Sequence, residues 1–245
     1  MTVAESGKST ARPAAFARRS FVYRRLESAG AWFTETGGAA VAARFGDTAS
    51  EVETARRLGL ADLSPLPRVG FKGAGAMDWL AERGVTIDGS RPNWSWRQSD
   101  GSLAIARSKT ESLILSNLSG NRDLCDRLES ESNEAREARA YVLPRYDGLF
   151  WFALTGSRAA ECMAKVCGVD LRPSSFADGA VAQTSVAGMT ATVVRCDIGV
   201  ANAFYLLGDS ASAEYFWDAI LDAMREFRGG AVGLWSLQTL QAEVK

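Results

Sequence analysis

The chain has 245 residues, 47% of them hydrophobic, with 28 basic against 29 acidic side chains and a formal net charge of −1. That is enough apolar material for one large domain or two small ones, and the near-neutral balance excludes an overall electrostatic basis for binding nucleic acid or an anionic membrane. No apolar run approaches the roughly 20 residues that cross a bilayer, so a soluble globular protein is expected.

Histidine is absent, and the four cysteines, Cys125, Cys162, Cys167 and Cys196, form no CxxC pair. A Cys/His metal centre is excluded, as is every nucleophile activated by histidine. Acid–base chemistry by carboxylates, Lys or Tyr stays open. Cys162 and Cys167 fall on a helical pattern beside Met163 and Val166, which predicts small buried thiols in a reducing compartment.

In chain order, residues 1–20 are rich in Ala, Ser and Thr and carry Lys8, Arg12, Arg18 and Arg19 without the apolar run of a secretory signal. A flexible N-terminal arm is expected there; a transit peptide and an arm that orders against a partner are the alternatives. A short helix is predicted over 51–60, ending near Gly59, and an alternating strand over 68–73. A helix follows, with Ala76, Met77, Leu80 and Ala81 on one face and Gly84 as its C-terminal cap. The stretch Arg91-Pro92-Asn93-Trp94-Ser95-Trp96 is expected to be a polar loop, and 102–107 with 112–117 a hairpin. Residues 121–139 read as charged helix. The run 129–139 offers no well-spaced i,i+4 ion pair and predicts only a solvated face.

The same order then returns. A strand is predicted over 149–155, a helix over 157–167, strands over 181–185, 189–195 and 203–207, and a long helix over 212–227. That helix carries Phe216, Trp217, Ile220, Leu221, Met224 and Phe227 as one apolar stripe facing the core. Gly73, Ala76, Leu80 and Ala81 correspond to Gly156, Ala159, Met163 and Ala164. The pattern predicts an internally duplicated α+β domain over 21–245, with antiparallel sheets, covering helices and repeats at about 60–140 and 148–245. Neither repeat should fold alone, since each sheet needs a partner for its apolar face.

Short motifs carry a family resemblance. The run Leu58-Gly59-Leu60-Ala61-Asp62-Leu63-Ser64-Pro65-Leu66, followed by a strand, resembles the opening of the folate-binding domain of the glycine-cleavage T protein. Gly233-Leu234-Trp235-Ser236-Leu237-Gln238-Thr239-Leu240-Gln241-Ala242-Glu243 resembles that family's GLGARDTLRLE helix. The resemblance implies the aminomethyltransferase-type folate-binding fold, and the departures from it are equally specific. Where the family carries an aspartate pair, this chain has Gln98-Ser99-Asp100-Gly101-Ser102. Where it carries GYTGE, this chain has Cys196-Asp197-Ile198-Gly199-Val200. The family's Arg-Asp has become Leu237-Gln238, and its second Arg has become Gln241. The chain also stops where a full T protein continues into a barrel domain.

A carboxylate binds the pterin ring and Arg or Lys the glutamate tail, through charge-assisted hydrogen bonds of about 1.5–3 kcal/mol each. Losing two arginines should weaken folate binding by orders of magnitude. Asp100 and Glu243 remain as remnants of the cofactor site, Glu243 read as a solvated charge.

Shortened members of this kind are the gamma subunits of heterotetrameric sarcosine oxidase and of N-methylglutamate dehydrogenase. The Asp170-Leu171, Phe176-Ala177-Asp178-Gly179 and Tyr215-Phe216-Trp217 stretches are similar to theirs. The resemblance implies a non-catalytic, cytoplasmic gamma subunit packed directly against an alpha subunit, in a complex with beta and delta that oxidises an N-methylated amino acid. FAD, FMN, NAD, zinc and tetrahydrofolate are expected on the other subunits and no cofactor on this one. Trp94, Trp96 and Trp235 are the interface candidates, with burial in the core as the alternative. Two other readings are a free-standing folate-binding protein that assists iron–sulfur enzymes, whose KGCYxGQE signature is missing here, and an active aminomethyltransferase.

Overall fold

The structure, a computed structural model, describes residues 11–243. It opens with a 3₁₀ turn at Pro13–Ala15, helix α1 (Tyr23–Ser28) and a hairpin of β1 (Trp32–Thr36) and β2 (Ala39–Arg44). Helix α2 (Thr48–Leu58) begins at Asp47, whose carboxylate accepts from the Ser50 amide at 3.0 Å, supplying an acceptor that the first turn lacks. It ends where Gly59 opens β3 (Gly59–Asp62).

Next come β4 (Arg68–Lys72), α3 (Ala76–Glu82), β5 (Trp94–Arg97), β6 (Leu103–Ser108), β7 (Glu111–Leu115), α4 (Asp123–Ser130), α5 (Ser132–Glu137) and β8 (Tyr141–Pro144). The second half contains β9 (Leu149–Thr155), α6 (Ala159–Met163), β10 (Val181–Val186), β11 (Met189–Arg195), β12 (Ala203–Asp209), α7 (Ala213–Met224), β13 (Gly230–Ala231) and α8 (Leu234–Ala242).

Two large sheets result, in the orders β5-β6-β7-β4-β8 and β10-β11-β12-β9-β3-β13. All neighbours are antiparallel except the short β13, which runs parallel to β3. Four strands of each sheet come from one continuous stretch of chain. A fifth strand then crosses the boundary between the halves: β3, which precedes the first stretch, pairs with β9, and β8, which precedes the second, pairs with β4. The five-stranded sheet is thus built from consecutive strands β4 to β8, whereas the six-stranded sheet reaches back past all of them for β3.

The two strand-to-helix turns show why this exchange needs glycine. Gly73 and Gly156 have φ of +140° and +110°, a region that disfavours side chains. A Cβ on Gly73 would lie 2.0 Å from Arg139 O, and one on Gly156 would lie 2.4 Å from Arg57 C. Amides of the second turn, Ser157 N and Arg158 N, reach Arg56 O and Arg57 O at 2.9 and 3.0 Å. In the first turn Gly75 N reaches Arg139 O at 3.4 Å. Helix-end carbonyls of α2, and those after α5, thereby gain donors that no intrahelical bond supplies.

The core forms layers. On β9, Phe150, Phe152 and Leu154 pack with Phe216, Trp217, Ile220 and Met224 of α7, whereas Trp151 and Ala153 face the other sheet. Between the sheets lie Leu103, Ile105, Leu113 and Leu115, joined by Leu234, Leu237 and Leu240 of α8. The outer face of the five-stranded sheet is covered by Trp79 and Leu80 of α3 and by Cys125 and Leu128 of α4. Burial on both faces accounts for the unbroken apolar run of β9.

All four cysteines are buried and free, and α7 turns its aromatic stripe inward, as expected. Several expectations are revised. Trp94–Arg97 is a strand, not loop, because its edge pairs with β6 and, through Trp94, with Ala180. The helix expected over 157–167 spans only Ala159–Met163, since Cys167 is drawn into a bridge with Val186. The charged run is clamped: Arg83 Nη2 binds Glu134 at 2.6 Å and Arg83 Nε binds Glu131. Of the expected flexible arm, residues 1–10 lie outside the described residues. Residues 11–20 lie against the domain, with Pro13 and Ser20 buried and Ala11 N bonded to Phe33 O at 3.0 Å.

Candidate functional site

Two polar places in this frame coincide with the motifs singled out in the sequence. The first is closed. Arg68, at the start of β4, is fully buried and donates all five of its N–H groups to backbone carbonyls. They are Arg145 O and Leu66 O at 3.0 Å, Tyr146 O at 2.7 Å, Ser64 O and Leu149 O. Those carbonyls belong to the β3–β4 and β8–β9 connections, so one guanidinium ties together the two crossings between the sheets. The fixed fork of Arg suits this task, where Lys would offer three donors on one atom.

Asp62 supplies the countercharge. One of its oxygens accepts from Ser64 N at 3.0 Å, and the other has no hydrogen-bond partner among the described residues. Burial raises its pKa above the ordinary carboxylate value, against the lowering effect of Ser20, Ser64 and Arg68. Burial likewise lowers the Arg68 guanidinium to about 10. Ser64 Oγ accepts from Trp151 N at 3.0 Å. The Asp62-Leu63-Ser64 motif is therefore a structural pin.

The second place is an open cleft of about 360 Å³ lined by Ser99, Asp100, Gly101, Asn117, Ser119, Gln238, Gln241 and Ala242. The β5–β6 turn, the end of β7 and the last turn of α8 bring these residues together. Asp100 is already engaged: its oxygens accept from Ser102 N at 2.9 Å and Ser102 Oγ at 2.8 Å, and its carbonyl accepts from Asn117 Nδ2 at 2.7 Å. Gln238 Nε2 donates to Leu118 O at 2.9 Å. Among the described residues, the Gln241 side chain makes no hydrogen bond and no Arg or Lys lines the cleft.

Leu237 is fully buried in the layer between the sheets, so the position where the resemblance expects an arginine contributes to the core. Glu243 turns elsewhere and pairs with Arg56 at 2.5 Å on the exposed end of α2. The lining is one bonded carboxylate among neutral amides and hydroxyls, suited to polar contact and not to gripping an anion. It does not fit the charged tail of a folate.

A smaller cavity of about 90 Å³ lies between the sheets, lined by Ser95, Arg97, Leu103, Asp178, Gly179, Arg195 and Cys196. Arg195 binds Asp197 at 2.8 and 3.1 Å and Phe176 O at 2.7 Å. Arg97 reaches Asp197 O at 2.9 Å and Cys196 Sγ at 3.2 Å. Burial pushes the Cys196 thiol up to about 11, outweighing the nearby Arg97, which leaves it protonated and unreactive. Among the described residues no three Cys, Asp or Glu side chains gather in a way that could hold a metal ion.

Trp94 and Trp96 are half-buried on one face of β5, and Ser95 points the opposite way into burial. Arg91 stacks on the Trp94 ring at 3.5 Å. Trp235, in the first turn of α8, is also half-buried. The three tryptophans do not line either cavity. Sequence reading missed Ser99, Asn117 and Ser119 as lining residues; the polar Asn117–Asn121 turn after β7 was their available trace.

The chain belongs to the GCVT N-terminal domain family, whose model matches residues 99–245. Among solved structures it is similar to the glycine cleavage system aminomethyltransferase T from Bartonella henselae, with a TM-score of 0.72, 17% identity and 91% of this chain matched. It spans 61% of that protein's length. It is also similar to a chain of the heterotetrameric sarcosine oxidase from Corynebacterium sp. U-96, solved with pyrrole 2-carboxylate. There the TM-score is 0.63 and the identity 20%, with 86% of this chain and 96% of that chain covered. At these identities the likeness is one of fold. No curated protein sequence matches the chain.

Proposed function

We propose that this protein is a non-catalytic gamma-type subunit of a heterotetrameric, flavin-dependent complex that oxidises an N-methylated amino acid. Its task is to pack against the alpha subunit and hold the assembly together. The observation that carries the reading is the cleft beside α8. In a family whose chemistry needs a free carboxylate and cationic side chains, Asp100 is capped by Ser102 and α8 presents Gln238 and Gln241. The near-complete coverage of a sarcosine oxidase chain supports it. The matching strand order of the two sheets supports descent of the halves from one duplicated unit.

On this reading FAD, FMN, NAD, zinc and tetrahydrofolate reside on the alpha, beta and delta subunits, in the cytoplasm. No helix among the described residues is long and apolar enough to cross a membrane. Half-buried Trp94, Trp96 and Trp235 supply the rigid aromatic area that interface centres favour.

Two measurements test the proposal. Titrated with tetrahydrofolate, the purified chain gives no measurable heat, and tight binding would overturn the non-catalytic reading. Purified from its source, it travels with larger yellow subunits. A chain that runs alone as a stable monomer, without flavoprotein partners, contradicts the assembly role.

A further inference from the structure

Between Ala11 and Leu26 the chain carries Arg12, Arg18, Arg19, Arg24 and Arg25 and no carboxylate. The whole chain has a formal net charge of −1, so this basic segment is attached to an acidic body. Like charges so close in sequence repel, and the fold does not use most of them. Among the described residues only Arg25 forms ion pairs, with Asp218 at 3.0 Å and Glu214 at 3.7 Å on α7. Arg12, Arg18, Arg19 and Arg24 are exposed.

The segment is held by other means. Pro13, Ser20, Val22 and Leu26 are buried, Ala11 N bonds Phe33 O, and Val22 N bonds Ser20 Oγ at 3.0 Å. The anchors face inward and the arginines outward. Aromatic rings orient three of them: Arg18 lies 3.7 Å from the centre of the Tyr146 ring, and Arg19 and Arg24 lie 5.2 and 5.4 Å from that of Tyr23. Arg24 also donates its Nε to the Tyr23 hydroxyl at 3.1 Å, and the terminal donors of all three guanidiniums stay available for recognition of carboxylates.

We propose that this segment, Arg12 to Arg24, is a docking surface for a carboxylate-rich patch on a partner protein. The proposal rests on the subunit reading above and adds where the partner docks and by what chemistry. A protein patch fits better than a nucleic acid or a lipid surface. The acidic body repels an extended polyanion, whereas a local patch needs complementarity only within about 8 Å, the screening length at physiological salt. Arginines around a half-buried tyrosine also match the composition of interface centres.

The test compares the full-length chain with Arg18→Glu/Arg19→Glu/Arg24→Glu and with Arg136→Glu, a reversal at an exposed arginine on α5. Circular dichroism verifies the fold, and an Arg→Gln version of the triple variant guards against unfolding by charge reversal. Association is measured with the flavin-containing subunits that co-purify with the wild type, over about 50–500 mM salt. The expected result is an association rate that falls with salt and drops about tenfold or more in the triple variant, less in the Gln version and not at all in Arg136→Glu. Unchanged association in the triple variant overturns the proposal.

If no flavin subunit co-purifies, the subunit reading fails first, and the surface is tested alone with poly-L-glutamate, a DNA duplex and vesicles containing phosphatidylserine. Arginine-dependent binding to poly-L-glutamate supports the acidic-protein surface; preference for DNA or vesicles, or no binding at all, overturns it.

Discussion

At Arg68 five backbone carbonyls converge on one guanidinium, whereas beside α8 two glutamine amides reach the edge of an open cleft and, among the described residues, only Gln238 is hydrogen-bonded. Both places correspond to short motifs of the same family. The buried one pairs an arginine with an aspartate, and the open one sets a capped Asp100 among neutral amides and hydroxyls. The difference follows from what each charge does. Removing a buried guanidinium strands five acceptors and a carboxylate, so the fold itself depends on it. An arginine in an open cleft serves only a ligand, and without that ligand a neutral amide costs the fold nothing.

The sharpest way to break this contrast is Arg68→Met. It leaves the carbonyls of Ser64, Leu66, Arg145, Tyr146 and Leu149 without their shared donor and Asp62 without its countercharge. A loss of about 3–5 kcal/mol is expected in urea unfolding, with a loss below about 1 kcal/mol showing that the knot is dispensable. Leu237→Arg places a charge at a position inside the core. It should destabilise by a similar amount, about 3–5 kcal/mol, because the new charge is buried without a partner. A stable variant that gains folate binding would show instead that the helix can rotate the residue into the cleft.

Asp62→Asn probes the knot through pH. The folded pKa of Asp62 is raised, so between the unfolded value near 3.9 and the raised value the folded state holds more protons than the unfolded state. Asp62 therefore makes stability fall as pH rises through that window, by at most about 1.4 kcal/mol per unit. Subtracting the Asp62→Asn curve from the wild-type curve should isolate this slope; a flat difference from pH 4 upward would mean that Asp62 is ionised in the fold as freely as in the unfolded chain. The smallest effect on the fold is expected from Gln241→Arg, within about 0.5 kcal/mol because the side chain makes no hydrogen bond among the described residues. In calorimetry the same change should make tetrahydrofolate binding measurable where the wild type gives no heat, a gain of about tenfold or more through one charge-assisted contact. No gain would indicate that the cleft has lost the ligand's shape as well as its charge.

The strand and helix pattern was largely legible. The run 149–155 is a strand from end to end, and the aromatic stripe of α7 faces the core. Failures cluster where a distant segment decides the local conformation. Trp94–Arg97 looks like loop by composition, yet its pairing with β6 and Ala180 makes it a strand. The helix after Gly156 stops early because Cys167 bridges to Val186. The charged run at the end of the first half offers no pairs within itself, but Arg83 on α3 supplies them. Of the cleft, Asp100 and the α8 positions could be named from their motifs. Asn117 and Ser119 could not, since nothing local ties the end of β7 to a helix more than a hundred residues away.

The sequence by itself determined the element order, the α+β class, the buried thiols and the neutral side chains of Leu237, Gln238 and Gln241 on the last helix. It could do so because periodicity and residue chemistry are local properties. Only the tertiary structure decided that β3 pairs with β9 and β8 with β4, and that Arg68 fastens both crossings. It also decided that Leu237 is core while Gln241 is cleft, and that the arginines of the N-terminal segment stand outward. Those outcomes depend on which surfaces meet after the chain has crossed between its two sheets, and sequence neighbours carry no record of that meeting.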